Sequence, residues 1–118
     1  MNKKKILIVE DDANIREVLE LALEFEGYDI VCAVNGKDGV DQLAKGINPD
    51  LILLDLMMPV MNGWEFVEKL SMDQKNKNIP VVVVSAFIEK NTPIKCSAYV
   101  AKPVDLTHLL NTVKEHTK

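Results

Sequence analysis

Short aliphatic runs alternate with amphipathic stretches along the chain. Lys5–Val9 is apolar and rich in branched residues, which predicts a buried strand. Beyond it, Ile15, Val18, Leu19 and Ala22 recur at helical spacing, predicting an amphipathic helix that stops at Gly27. Asn14 is its expected N-cap, with Glu17 completing a capping box. Tyr28–Val34 reads as a strand closed by the turn pair Asn35-Gly36. Lys37–Lys45 reads as a short helix with Val40, Leu43 and Ala44 inward, followed by Gly46. Leu51–Asp55, opened by Asn48-Pro49-Asp50, is the central strand. Gly63 to about Met72 is the next helix, with Phe66, Val67 and Leu70 as its apolar side. A polar connection, Asp73–Asn78, leads to a strand at Pro80–Val84 that ends in Ser85-Ala86. Tyr99–Ala101 is a short fifth strand. The last helix starts near Asp105, with Leu106, Leu109, Leu110 and Val113 on one face. Lys114 and His116 sit near its C-terminal end, where positive charge suits the helix dipole.

Strand and helix in regular alternation imply a parallel sheet covered on both faces. The unbroken apolar run Leu51-Ile52-Leu53-Leu54 fits a strand buried on both sides. A charge inside such a strand is costly, so Asp55 belongs at its carboxyl end, held out at the sheet edge. In open α/β sheets that is the edge where ligands bind. Glu10-Asp11-Asp12, Ser85 and Lys102 also follow strands, so the topology brings them to the same edge as Asp55.

Composition narrows the picture. With 118 residues, 47% of them hydrophobic, the chain has one domain's worth of core, 1–118. Fourteen basic against 18 acidic residues give a net charge of −4, which argues against nucleic acid or an anionic membrane as partner. No apolar run approaches the ~20 residues of a membrane span. The basic start, Met1–Lys5, is followed by too short an apolar segment for a signal peptide. Cys32 and Cys96 are far apart and lack CxxC spacing, so they read as reduced thiols of a cytoplasmic protein.

Carboxylates crowded at one spot repel each other unless a cation neutralises them, and hard oxygen ligands suit Mg²⁺, with Mn²⁺ also admissible. Ser85 adds a hydroxyl donor and Lys102 a compact positive charge. Carboxylate nucleophile, divalent ion, hydroxyl and lysine are together the parts for phosphoryl transfer to Asp55. Taken singly, each part has a plainer reading. A lone Asp after a strand is usually a cap or turn residue, and acidic runs are usually solvated loops. Tyr99 and Trp64 read first as packing aromatics, and Met57 and Met58 as packing residues. His108 and His116 read as surface residues of the last helix.

Several marks in order change that weighting. They are the acidic pair after the first strand, Asp55 ending the third, then Pro59 and Gly63, Ser85-Ala86 after the fourth, and Tyr99 with Lys102-Pro103 around the fifth. In these the chain resembles, over essentially its whole length, the receiver domain of two-component response regulators. The resemblance implies a flavodoxin-like, doubly wound sheet of five parallel strands in the order 2-1-3-4-5. It implies that Asp55 is the phospho-acceptor, with Asp11, Asp55 and the Met57 backbone carbonyl as Mg²⁺ ligands and Glu10 acting through water. Asp12 is then a neighbour, not a ligand. It further implies that Ser85 and Lys102 meet the phosphoryl group, that Tyr99 is a rotamer switch following Ser85, and that Pro103 follows a cis peptide. The implied donor is a sensor histidine kinase or a histidine phosphotransfer domain, and the implied output is altered binding of a further protein. The domain assists its own phosphorylation without turning over a substrate.

The chain departs from the family pattern between Ser85 and Tyr99, where residues 86–98 are few and include Asn91-Thr92-Pro93. Proline inside a helix costs ~3 kcal/mol, so a shortened or irregular fourth helix is expected there. Met57 and Phe87, apolar and bulky, each stand two residues past a site residue. They are expected to hinder hydrolytic water and lengthen the life of phospho-Asp55. The chain ends with the last helix, so a stand-alone or excised receiver is expected. The rivals are a pseudo-receiver that never takes phosphate and a Mg²⁺-dependent phosphohydrolase with an Asp nucleophile. The latter wants a second Asp where Met57 stands.

Overall fold

A computed structural model describes residues 3–86 and 94–118. Strands β1 (Lys5–Val9), β2 (Asp29–Ala33), β3 (Leu51–Leu54), β4 (Val81–Ser85) and β5 (Ala98–Ala101) form one parallel sheet, ordered β2-β1-β3-β4-β5. Helices α1 (Ala13–Phe25), α2 (Gly36–Ala44), α3 (Gly63–Ser71) and α4 (Leu106–His116) connect or follow them. This is the flavodoxin-like doubly wound fold expected from the sequence. The expected shortening of the crossover after Ser85 falls chiefly on residues 87–93, outside the described residues, as do Phe87 and Pro93.

Side chains alternate across the pleat, so each strand feeds two cores. Leu7, Val9, Ile52, Leu54 and Val83 pack with Leu43 of α2 and with Phe66 and Leu70 of α3. Ile6, Ile8, Leu51, Leu53 and Val82 pack with Leu19 and Leu23 of α1 and with Leu109 and Val113 of α4. Burial on both faces is why β1, β3 and β4 read as unbroken apolar runs.

Several helix expectations need correction. The N-cap of α1 is Asp12, not Asn14: its carboxylate accepts from the Asn14 and Ile15 amides. A carboxylate there satisfies two free N–H groups and suits the dipole, so the helix begins two residues earlier, at Ala13. The capping box forms instead on α3, where Asn62 and Glu65 bond reciprocally. Val18 is half exposed, because α1 turns Leu19 and Leu23 to the sheet. Ala44 is exposed as well. Helix α2 buries Gly36, Gly39 and Leu43, and a Cβ on Gly39 would lie 2.9 Å from Phe66 Cε2. Glycine lets α2 sit that close. His108 is exposed as expected, but His116 is half-buried, with its Nδ1 2.8 Å from the Thr112 carbonyl.

Candidate functional site

The parallel register sets the strand ends side by side. Val9 pairs with both Ala33 and Leu54, Leu54 with Val83, and Ser85 with Ala101. The ladder continues one residue further: Glu10 N–H donates to Ala33 O at 3.1 Å, Asp55 N–H to Val9 O at 3.0 Å and Lys102 N–H to Ser85 O at 3.1 Å. Residues separated by up to 92 positions therefore share one edge. They line an open notch of about 390 Å³ with Asp11, Asp12, Ile15, Met57 and Ala86.

One carboxylate oxygen from each of Glu10, Asp11 and Asp55 lies within 4.8 Å of the other two. Asp12 stands apart from this group, occupied by its cap. Glu10 is 2% exposed and Asp55 5%, while Asp11 faces solvent. Asp55 is thus sunk into the notch, not held out from the edge, with Met57, Ser85 and Lys102 lining the same notch. Lys102 Nζ lies 2.7 Å from Glu10 Oε1 and 3.6 Å from Asp55 Oδ2. The sequence did not show that Glu10 is the nearer partner. The Asp55 oxygens differ in surroundings: Oδ1 accepts from the Met57 amide at 3.4 Å, and Oδ2 faces the lysine. The second oxygen of Glu10 accepts the Asp12 amide at 3.2 Å. From α1, Arg16 reaches back to the Glu10 and Asp11 carbonyls.

One ammonium does not neutralise three carboxylates. Burial pushes Glu10 up to about 7, against the opposing hydrogen bond from Lys102. Burial likewise raises Asp55, with the Lys102 charge opposing. Burial alone would lower Lys102, but its bond to Glu10 and the two nearby acids outweigh that and raise it. Protonation here relieves an excess of negative charge, and a dication would do the same. Hard, closely spaced carboxylate oxygens with one side open to water fit Mg²⁺ by their chemistry.

Ser85 is 1% exposed and ends β4 inside the notch. Burial raises the Tyr99 hydroxyl, with the Ser85 side chain opposing. Tyr99 and Trp64 also pack on the core beneath α2 and α3. The Lys102–Pro103 peptide is cis, as the resemblance implied. Met58 is buried, as its packing reading requires, but Met57 is 57% exposed at the lip, so it is not a packing residue. Cys32 and Cys96 are free thiols.

A doubly wound α/β domain with an acidic notch at its carboxyl edge is the class this structure defines. The chain belongs to the response regulator receiver domain family of two-component signalling, whose model it matches over residues 6–114. It is 32% identical over 118 residues to the polar-differentiation response regulator DivK of Brucella anthropi, covering 96% of this chain and 95% of that one. It is 35% identical over 115 residues to the DNA-binding dual master transcriptional regulator RpaA of Synechocystis, covering 93% of this chain but only 47% of that protein. The solved structure of chemotaxis protein CheY4 from Vibrio cholerae superposes with a TM-score of 0.89 at 26% identity, covering 97% of this chain and 98% of that one. Among the described residues, no helix is long and apolar enough to cross a membrane.

Proposed function

We propose that residues 1–118 act as a single phosphorylation-controlled switch with Asp55 as acceptor. The observation that carries this reading is the convergence of Glu10, Asp11 and Asp55 beside Lys102 in a chain of the receiver family. An Asp55 carboxylate oxygen attacks the phosphorus of a phosphohistidine, the P–N bond breaks, and the imidazole leaves with its electron pair. Asp55 then carries an acyl phosphate.

Glu10, Asp11, Asp55 and the Met57 carbonyl would hold Mg²⁺, Glu10 through water. The ion supplies charge neutralisation for phosphoryl oxygens. Lys102 offers its ammonium to the phosphoryl group from the Asp55 Oδ2 side. Ser85 offers a hydroxyl, which would release Tyr99 to change rotamer and pass the signal outward. The chain returns to its starting state when the acyl phosphate is hydrolysed, so it turns over no separate substrate.

The donor is a histidine kinase or a histidine phosphotransfer domain, and we place the exchange in the cytoplasm. A largely apolar groove of about 360 Å³ lined by Ile15, Val18, Leu19, Pro103, Val104 and Leu106 adjoins the notch. Ile15 and Lys102 border both. Leu21 and Phe25, further along α1 at helical spacing from Val18, are exposed as well. Glu17, Glu20 and Glu24 on the same helix favour a donor helix with an apolar seam and basic flanks.

The test is intact mass after incubation with acetyl phosphate and Mg²⁺. Wild type is expected to gain one phosphoryl group, and Asp55→Asn none. A wild type that stays unmodified with and without metal would end the reading.

A further inference from the structure

Helix α1 carries a positive charge close to its positive end. Arg16 is the fourth residue of α1, which begins at Ala13, and the aligned peptide dipoles make that N-terminal end unfavourable for a cation, though the Asp12 cap offsets part of this. Glu20 lies one turn further on, at the spacing for an ion pair, yet no such pair forms among the described residues. The guanidinium folds back toward the sheet. Its Nη1 donates to the Glu10 carbonyl at 2.8 Å and to the Asp11 carbonyl at 3.4 Å.

These carbonyls belong to two of the three residues whose carboxylates meet in the notch. Among the described residues, neither receives a backbone N–H bond in the loop. The sheet ladder ends at Glu10 N–H, and the first helical bond goes to the Asp12 carbonyl. Arg16 therefore holds the two peptide units that lie between the ladder and the helix.

We propose that Arg16 is a positioning residue of the acidic site. It fixes the backbone of Glu10 and Asp11 so that their carboxylates are set before a cation arrives. This rests on the reading of the notch as a cation and phosphoryl site. Its chemistry suits the task. The guanidinium is planar and always charged, and the N–H donors of its Nη1, held in that plane, meet both neighbouring carbonyls, whereas a lysine ammonium is a freely rotating point charge.

Positioning and charge act on cation affinity with opposite sign. Loss of the clamp loosens the ligands and weakens binding. Loss of the nearby positive charge removes a repulsion and tightens it. The experiment is Mg²⁺ titration of the full chain, followed by Trp64 fluorescence and calorimetry, for wild type, Arg16→Met and Arg16→Lys. Arg16→Met is expected to bind Mg²⁺ about tenfold more weakly, the size typical of lost outer-shell support, and Arg16→Lys to fall between. Unchanged or tighter binding by Arg16→Met would overturn the proposal.

A second measurement needs no metal. The Asp12 amide donates to Glu10 Oε2 at 3.2 Å, so its hydrogen exchange reports whether loop and carboxylate are held together. That amide should exchange faster in Arg16→Met than in wild type, and equal rates would again overturn the proposal. If wild type binds no Mg²⁺, the reading of the notch fails, and the exchange comparison alone decides the clamp. If Arg16→Met does not fold, Arg16→Lys carries both comparisons.

Discussion

Val60 has a φ of +70°, a conformation that branched residues rarely adopt. The Met61 amide closes a tight turn around it onto the Pro59 carbonyl at 2.7 Å. Val60 is 72% exposed, so its side chain gains little burial in return. The turn persists because the two residues after Val60 are fixed. Met61 packs against Gly36, where a Cβ would lie 2.7 Å from the Met61 carbonyl oxygen, and Asn62 caps α3. Asparagine tolerates positive φ far better than valine. Val60→Asn should therefore stabilise the protein by ~1 kcal/mol. Urea unfolding should show this as a higher midpoint with unchanged slope. Nothing in the sequence marked this strain, since valine after proline reads as ordinary extended chain. The acids of the notch, in contrast, were legible one by one. What the sequence did not show was their burial, or that Lys102 lies closer to Glu10 than to Asp55.

At the scale of elements, α3 is bound to the Asp55 loop through its first residue. A Cβ on Gly63 would lie 2.8 Å from Leu56 Cα and 2.9 Å from the Asp55 carbonyl oxygen. The Gly63 amide also donates to the Leu56 carbonyl at 2.9 Å. These contacts are to backbone, so a methyl group is accommodated only by moving the loop of Asp55 and Leu56. Gly63→Ala should cost about 1–3 kcal/mol in urea unfolding. On the proposed function it should also slow labelling of Asp55 by acetyl phosphate, since the displaced backbone carries Asp55. Strands and helices themselves were readable because their periods differ, 2 against 3.6. Their ends were less so. Asp12 and Asn14 are both competent caps, and the choice rests on which peptide units the end of β1 leaves free.

Across the whole molecule, the buried acids couple folding to pH. Folding raises Glu10 from 4.5 to about 7 and raises Asp55 as well. The folded state therefore holds protons that the unfolded chain releases. Without metal, the Glu10 contribution to stability is greatest below pH 4.5 and is lost as pH rises through about 7, and Asp55 acts in the same direction. Saturating Mg²⁺ favours the ionised carboxylates and reverses the trend. The expected outcome is that Mg²⁺ raises the thermal midpoint more at pH 8 than at pH 5. Equal increments at both pH values, measured by calorimetry, would show that the notch does not exchange protons for the ion.

The residue pattern alone was enough to give the class of fold, the order of the elements and the acids at the strand ends. Side-chain period and apolar run length are local properties, and a parallel sheet covered on both faces follows from them. The pattern also gave Asp55, Glu10, Asp11, Ser85 and Lys102 as residues of one edge. Distances, burial and partners came from the packed molecule. The register of five strands and the close seating of α2 and α3 set how deep each carboxylate lies and which of them the lysine meets. Those are long-range quantities. They depend on glycines that admit close approach and on one arginine turned back from its own helix, neither of which leaves a periodic trace in the chain.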